Sequence, residues 1–284
     1  MNTSQVTTWV TDDRFAPYLS EAGGDHERAV ALYVWNAQVS VAIFETLHHV
    51  EVLLRNAIDA QFAPVLAGAA PAETWLEDPQ ILSPASRKRV GETIARIRKD
   101  HKKPTRGRVV AGLSFGFWRA LFDRKYEQLW VTHLYRAFPS GTGSRHQVAA
   151  LTSRLVPFRN RVAHHETIIR RPITTHYEDM LELAGLIDTD ARTWIESVTR
   201  VPEILDSVHR LLGDELVLKA LVPIAQLRSG RFVLRCSAPR LVIWLSVLFP
   251  SPGGVGAGWP LLPGVSCSRP ARAGASPAAP VPRG

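Results

Sequence analysis

Eight consecutive residues, Arg159-Asn160-Arg161-Val162-Ala163-His164-His165-Glu166, bring together two guanidinium groups, an amide, two imidazoles and a carboxylate. Arginine presents a planar fork of donors that matches phosphate oxygens. Histidine is the side chain that exchanges protons near neutral pH without special help. The pair points to chemistry on a phosphodiester, RNA above all, because RNA carries its own nucleophile in the 2′-hydroxyl. A solvated face of a charged helix has the same composition, and that reading stays open at this level.

Spacing alone does not single out this segment. An arginine followed by four to six residues and a histidine recurs at Arg96 to His101, Arg170 to His176 and Arg171 to His176. The first occurrence differs in its Arg-Asn pair, its doubled histidine and a second polar cluster upstream. That cluster is His48, Glu51 and Arg55, three and four residues apart and therefore on one helix face. The line through Val41 and Phe44 runs into it and resumes at Ile58, so it reads as polar groups embedded in a buried stripe. Glu51 and Arg55 are placed to pair at i,i+4. They act either as a structural ion pair or as one wall of a polar cleft shared with the Arg159 segment.

Long helices must carry both clusters. Glu27 to Phe62 contains no Gly or Pro, has Val30, Tyr33, Ala37, Val41, Phe44 and Ile58 at helical spacing, and follows Asp25 as an N-cap. Further helices are predicted over 86–99, 109–122, 126–138, 146–169, 176–187 and 191–212. On the 146–169 helix, Val148, Leu151, Leu155, Phe158 and Val162 form an apolar stripe, with Arg159 beside it and His165 on its other flank. His164 points nearly opposite, alongside Asn160. Arg159 and His164 therefore diverge within one helix. They converge on one phosphate only across a symmetric dimer, or where Pro157 distorts the turn.

Charge and cysteine usage bound the class. The net charge of +8 is confined to the end of the chain: all 26 acidic residues lie at or before Glu215, and eight Lys/Arg follow it. Residues 1–215 are neutral, so any RNA affinity of this part rests on a local patch. The two cysteines, Cys236 and Cys267, provide no disulfide framework and no zinc-type pair, which fits a reducing cytoplasm. The opening residues show no secretory signal, and the longest apolar run, 241–249, is too short for a membrane span. No cofactor and no metal are expected, since adjacent histidines on a helix diverge and His-Glu-x-x-His is absent. From Ser251 onward the chain is rich in Gly, Pro, Ala, Ser and Arg, a composition that predicts disorder. The abrupt end of acidic residues fits a reading frame lost near 220–230. A basic RNA-attracting arm is the alternative.

Three segments carry a family resemblance: Phe44 to Ile58 with its Glu-Val-Leu-Leu-Arg-Asn run, Leu113-Ser114-Phe115-Gly116-Phe117-Trp118, and Leu155 to Glu166. With these the chain resembles the Abi-like proteins, the AbiD/AbiF group of bacterial abortive infection, over roughly residues 12–212. That group is similar to the broader HEPN class of helical bundles. The resemblance implies an all-α, HEPN-like bundle over 12–212 and a separate low-complexity tail over 213–284. It implies a metal-independent endoribonuclease toxin of phage defence, working as a homodimer, with Arg159 and His164 as the Arg-x4-His pair. Asn160 matches the residue that often follows the arginine, and His165 also satisfies the spacing. Arg161, Glu51, Arg55 and His48 stand as supporting residues. An RNA or protein antitoxin fits the same resemblance but leaves no mark in the sequence. The competing reading is a non-catalytic RNA-binding or regulatory protein whose Arg/His cluster holds phosphate or stabilises an interface.

Overall fold

In the computed structural model, the described residues are 3–62, 75–140, 144–212, 232–235 and 242–245. Those before Leu212 form helices and turns only, an all-α body. The helices are α1 (Thr3–Val10), α2 (Asp12–Glu21), α3 (His26–Ala60), α4 (Pro84–Lys99), α5 (Arg106–Gly112), α6 (Phe115–Ala120), α7 (Glu127–Thr132), α8 (Arg145–Ala163), α9 (Ile173–Ile187), α10 (Thr189–Val198) and α11 (Val201–Leu212). Single 3-10 turns at Arg124–Tyr126 and Leu134–Ala137 flank α7.

The 35-residue α3 is the axis of the fold. Asp25 caps it as expected, one carboxylate oxygen accepting from the amides of Glu27 at 2.9 Å and Arg28 at 3.1 Å. Leu32, Trp35, Val39, Ile43, Leu47, Val50, Leu54 and Ile58 are buried at i,i+3 and i,i+4 steps. Around them pack α1, α2, α5, α6, α8, α9 and α11. By length and composition α3 would be apolar enough to cross a membrane. The face through Leu47 and Leu54 is covered by these neighbours. The Trp35 indole donates to the Ile204 carbonyl at 3.0 Å, and Thr46 shares a 2.8 Å hydroxyl bond with Thr199, so α11 and its approach are pinned to α3.

Several predicted boundaries are corrected. The 109–122 segment breaks into α5 and α6, because Leu113 is extended and the Ser114 hydroxyl caps the Phe117 amide. The 126–138 segment breaks around α7. The 191–212 segment splits at Thr199 and Arg200, where the chain is again extended before α11. The 146–169 segment ends early, at Ala163. The stripe assigned to α3 is also corrected. Val41 is 59% exposed and Phe44 is 44% exposed, so the line through Val41, Phe44 and His48 faces outward. The core face is the one through Leu47 and Leu54.

Beyond α11 the described backbone is an antiparallel pair of four-residue strands, β1 (Phe232–Arg235) and β2 (Val242–Leu245), with Phe232 opposite Leu245. The sequence reading assigned no strand here. A lone two-stranded pair supplies no core of its own. Otherwise the disorder and lost-frame expectations for the tail lie outside the described residues. A chain ending at Gln226 retains every helix and every buried side chain named above. It is expected to melt within a few degrees of the full-length protein and to keep its activity. Loss of folding on this truncation, read in thermal melts, would assign the tail a structural role.

Candidate active site

Arg159 lies on the last full turns of α8, and its partner comes from α3. The Arg159 Nε donates to Glu51 Oε1 at 2.9 Å, joining residues 108 positions apart. Its guanidinium carbon stands 5.7 Å from the Phe44 ring centroid. The fork is thus held by one nitrogen and stands over an aromatic ring. Its remaining two nitrogens have no protein hydrogen bond among the described residues. Both side chains are half-buried, which makes the ion pair stronger than a surface one without removing it from solvent.

The expected Glu51–Arg55 pair does not form. Arg55 Nη1 instead reaches the Ala111 carbonyl of α5 at 3.4 Å. His48 is exposed, its ring edge-on to His49, which in turn meets Trp194. It lines an open groove of about 470 Å3 with His49, Asn56, Gln61 and Trp194. The upstream cluster therefore serves three neighbours, and only Glu51 joins the Arg159 segment. Helix geometry is consistent with the outcome: His48 and Arg55 lie on the same side of Glu51, about 20° from each other, but about 10 Å apart along α3, so they meet different neighbours.

The C-terminus of α8 is closed by a Schellman motif. The Glu166 amide donates to the Arg161 carbonyl at 3.0 Å, and the His165 amide to the Val162 carbonyl at 3.0 Å. His165 occupies the left-handed position with φ 57°, where glycine is the usual residue. The helix therefore ends before the histidines, and the expectation that His165 flanks the apolar stripe is corrected. His164 is the C-cap, with φ −92° and ψ 10°, and five residues of helix turn it about 140° from Arg159. Both histidines are exposed, and no side-chain partner holds the His164 ring among the described residues. The Arg14 guanidinium donates to the His165 carbonyl. Asn160 is exposed, and its carbonyl accepts the His164 amide at 2.9 Å. Arg161 is turned to Glu166 in a 2.7 Å ion pair. Pro157 does not break α8, so it does not bring Arg159 and His164 together. The stripe Val148, Leu151, Leu155, Phe158 and Val162 is buried as expected.

The segment after the motif is pinned by a residue outside both sequence clusters. Asn36 of α3 is 6% exposed, and its Oδ1 accepts the amide of the fully buried Ile168 at 2.9 Å. Asn36→Ala strands that amide. A loss of about 1–3 kcal/mol in urea denaturation is expected. An unchanged midpoint would show that the segment is held elsewhere.

The other arginine–histidine spacings resolve differently. His176 is stacked on Phe158 with ring centroids 4.1 Å apart, and burial pushes its pKa down. Arg170 pairs with Glu21. Arg96 donates to the Gly112 carbonyl at 2.6 Å, and His101 ends α4 in the same left-handed position as His165. Of the arginines that begin these spacings, Arg159 is the one held by a carboxylate from the central helix. No group of three or more His, Cys, Asp or Glu able to hold a metal ion occurs among the described residues.

No protein-family model, no curated protein and no solved structure matches the chain. Its functional reading therefore rests on this geometry and on the segment resemblance already described.

Proposed function

We propose that the chain is a metal-independent endoribonuclease of the abortive-infection type, acting in the cytoplasm as a homodimeric toxin. The observation that carries the reading is the Glu51–Arg159 pair, a guanidinium oriented through one nitrogen with two left to meet phosphate oxygens, on the helix that ends in an exposed, unengaged imidazole at His164. In the reaction, one His164 removes the 2′-hydroxyl proton as O2′ bonds to phosphorus. The P–O5′ bond breaks, and the partner subunit's His164 gives its proton to the departing O5′. The Arg159 nitrogens neutralise charge that grows on the non-bridging oxygens. The products are a 2′,3′-cyclic phosphate and a 5′-hydroxyl. Because one α8 aims Arg159 and His164 apart, the site is completed by a second copy.

Incubation of purified protein with tRNA and total RNA in EDTA, followed by end-group analysis, tests this. Cleavage with 2′,3′-cyclic phosphate ends is expected. A requirement for divalent metal, or 5′-phosphate products, would sink it. The half-buried ion pair between α3 and α8 also favours a second reading, in which Arg159 ties two helices together and the protein binds or regulates RNA without cutting it. Binding without cleavage under any condition selects that reading. An RNA or protein antitoxin that restrains the toxin belongs to the first reading and is sought by co-purification.

A further inference from the structure

The neutral balance of residues 1–215 hides a steep internal separation of charge. Residues 87–108 hold ten Lys/Arg against Glu92 and Asp100, a net +8 in 22 residues. The rest of 1–215 carries sixteen Lys/Arg against twenty-four Asp/Glu, a net −8. The positive segment is α4, its connection to α5, and the first turn of α5.

Ion pairing does not account for these cations. Arg106 pairs with Asp59 at 2.9 Å, Arg96 reaches the Gly112 carbonyl, and Arg108 donates to the Lys103 carbonyl at 2.8 Å. Lys88, Arg89, Arg98, Lys99, Lys102 and Lys103 are exposed and have no side-chain partner among the described residues. Six unpaired like charges on so short a segment repel one another, a cost that a bound polyanion removes.

The patch is attached next to the candidate site. Helix α5 is fastened to α3 by Arg55, through the Ala111 carbonyl, and by Asp59, which accepts from Arg106. Arg55 and Asp59 follow Glu51 by one and two turns of α3. These bonds tie α5, and with it the basic connection that precedes it, to the turns of α3 that follow Glu51.

We infer that the α4–α5 basic surface binds the phosphate backbone of the RNA strand whose bond the Arg159 site receives. The inference rests on the nuclease reading for what happens at Arg159, but the binding surface stands on the charge distribution. Its sequence preference is low, because exposed ammonium and guanidinium groups meet phosphates rather than base edges.

The test measures binding apart from cleavage. Fluorescence anisotropy of a fully 2′-O-methylated single-stranded RNA, which offers no 2′-hydroxyl to attack, is followed from 50 to 300 mM salt. The full-length protein is compared with the combined variant Lys99→Gln, Lys102→Gln, Lys103→Gln. These side chains are exposed, and circular dichroism confirms the fold. The expected result is an affinity at least about tenfold lower and a log–log salt slope shallower by about 2, near 0.7 for each phosphate contact removed. If the variant binds with the same affinity and slope, or the unaltered protein shows no saturable binding at 50 mM salt, the proposal is overturned. An acidic peptide of equal charge that binds more tightly than the RNA also overturns it, by making the partner a protein. Binding that depends on the patch, in a protein that never cleaves RNA, upholds the surface while rejecting the nuclease.

Discussion

His164→Ala and Arg159→Ala are each expected to lower RNA cleavage, or toxicity in cells, by at least about a hundredfold, the lower end of what a positioned acid or base supplies. The two losses have different origins, and the structure separates them. The exposed His164 ring supports no neighbour, so its removal leaves stability unchanged and falls on chemistry alone. Arg159 holds Glu51, so Arg159→Ala leaves a half-buried carboxylate unpaired and also weakens the α3–α8 contact. Glu51→Gln provides the control. It keeps a neutral acceptor for Nε, preserves the fold, and is expected to cost less than Arg159→Ala because the guanidinium stays in place.

His165 gives the sharpest contrast. It sits in the left-handed region, where a glycine avoids the Cβ penalty. His165→Gly should stabilise the protein by about 1 kcal/mol while leaving cleavage within a few-fold. EDTA should not inhibit any variant. If both His164→Ala and Arg159→Ala fold normally and cleave at the unaltered rate, the site lies elsewhere in the molecule. If His165→Gly is the inactive one, the proton-transfer role passes to that residue.

What could be read from the sequence follows from the range of each interaction. The α3 helix was legible because 27–62 lacks Gly and Pro and because Asp25 supplies its own cap. The buried face of α8 was legible because one apolar stripe faces one core. The stripe of α3 was misread for a physical reason: a helix contacted by seven others is apolar over much of its circumference, and Val41 and Phe44 mimic the core spacing. The break at Leu113-Ser114 follows Gly112, and the one at Thr199-Arg200 precedes Pro202, which a helix tolerates in its first turn but not in its interior. They depend on an extended residue and on local hydroxyl bonding, which compete with a helix only once the flanks are packed. The Glu51–Arg159 pair spans 108 residues, so local i,i+4 reasoning favoured Arg55 instead. The charge of 87–108 was present in the sequence, but a sum taken over 1–215 cancelled it.

A symmetric dimer is the second consequence with a large expected effect. On one α8, Arg159 and His164 are five residues apart, which turns them about 140° round the helix and about 7.5 Å along it. The end of α8 is fixed by its Schellman bonds and by Asn36 beyond it, so no local movement closes that angle. Two exposed apolar side chains lie on the face of α3 that meets Arg159. Val41 and Phe44 stand on the outward face of α3, with the Arg159 guanidinium over the Phe44 ring. An apolar strip bordered by the groups that must meet their partners is the expected form of a seam between two copies. Light scattering at micromolar concentration should give twice the chain mass. Val41→Glu, which touches neither Arg159 nor His164 and replaces a largely exposed side chain, should return the protein to a monomer and reduce cleavage by about a hundredfold or more, with the melting temperature of each chain little changed. Mixing His164→Ala with Arg159→Ala protein then reads the arrangement directly. In a shared site, heterodimers bring one intact Arg159 against one intact His164 and regain part of the activity that neither homodimer has. A strictly monomeric protein with full activity, or a mixture no more active than its components, would remove the shared site.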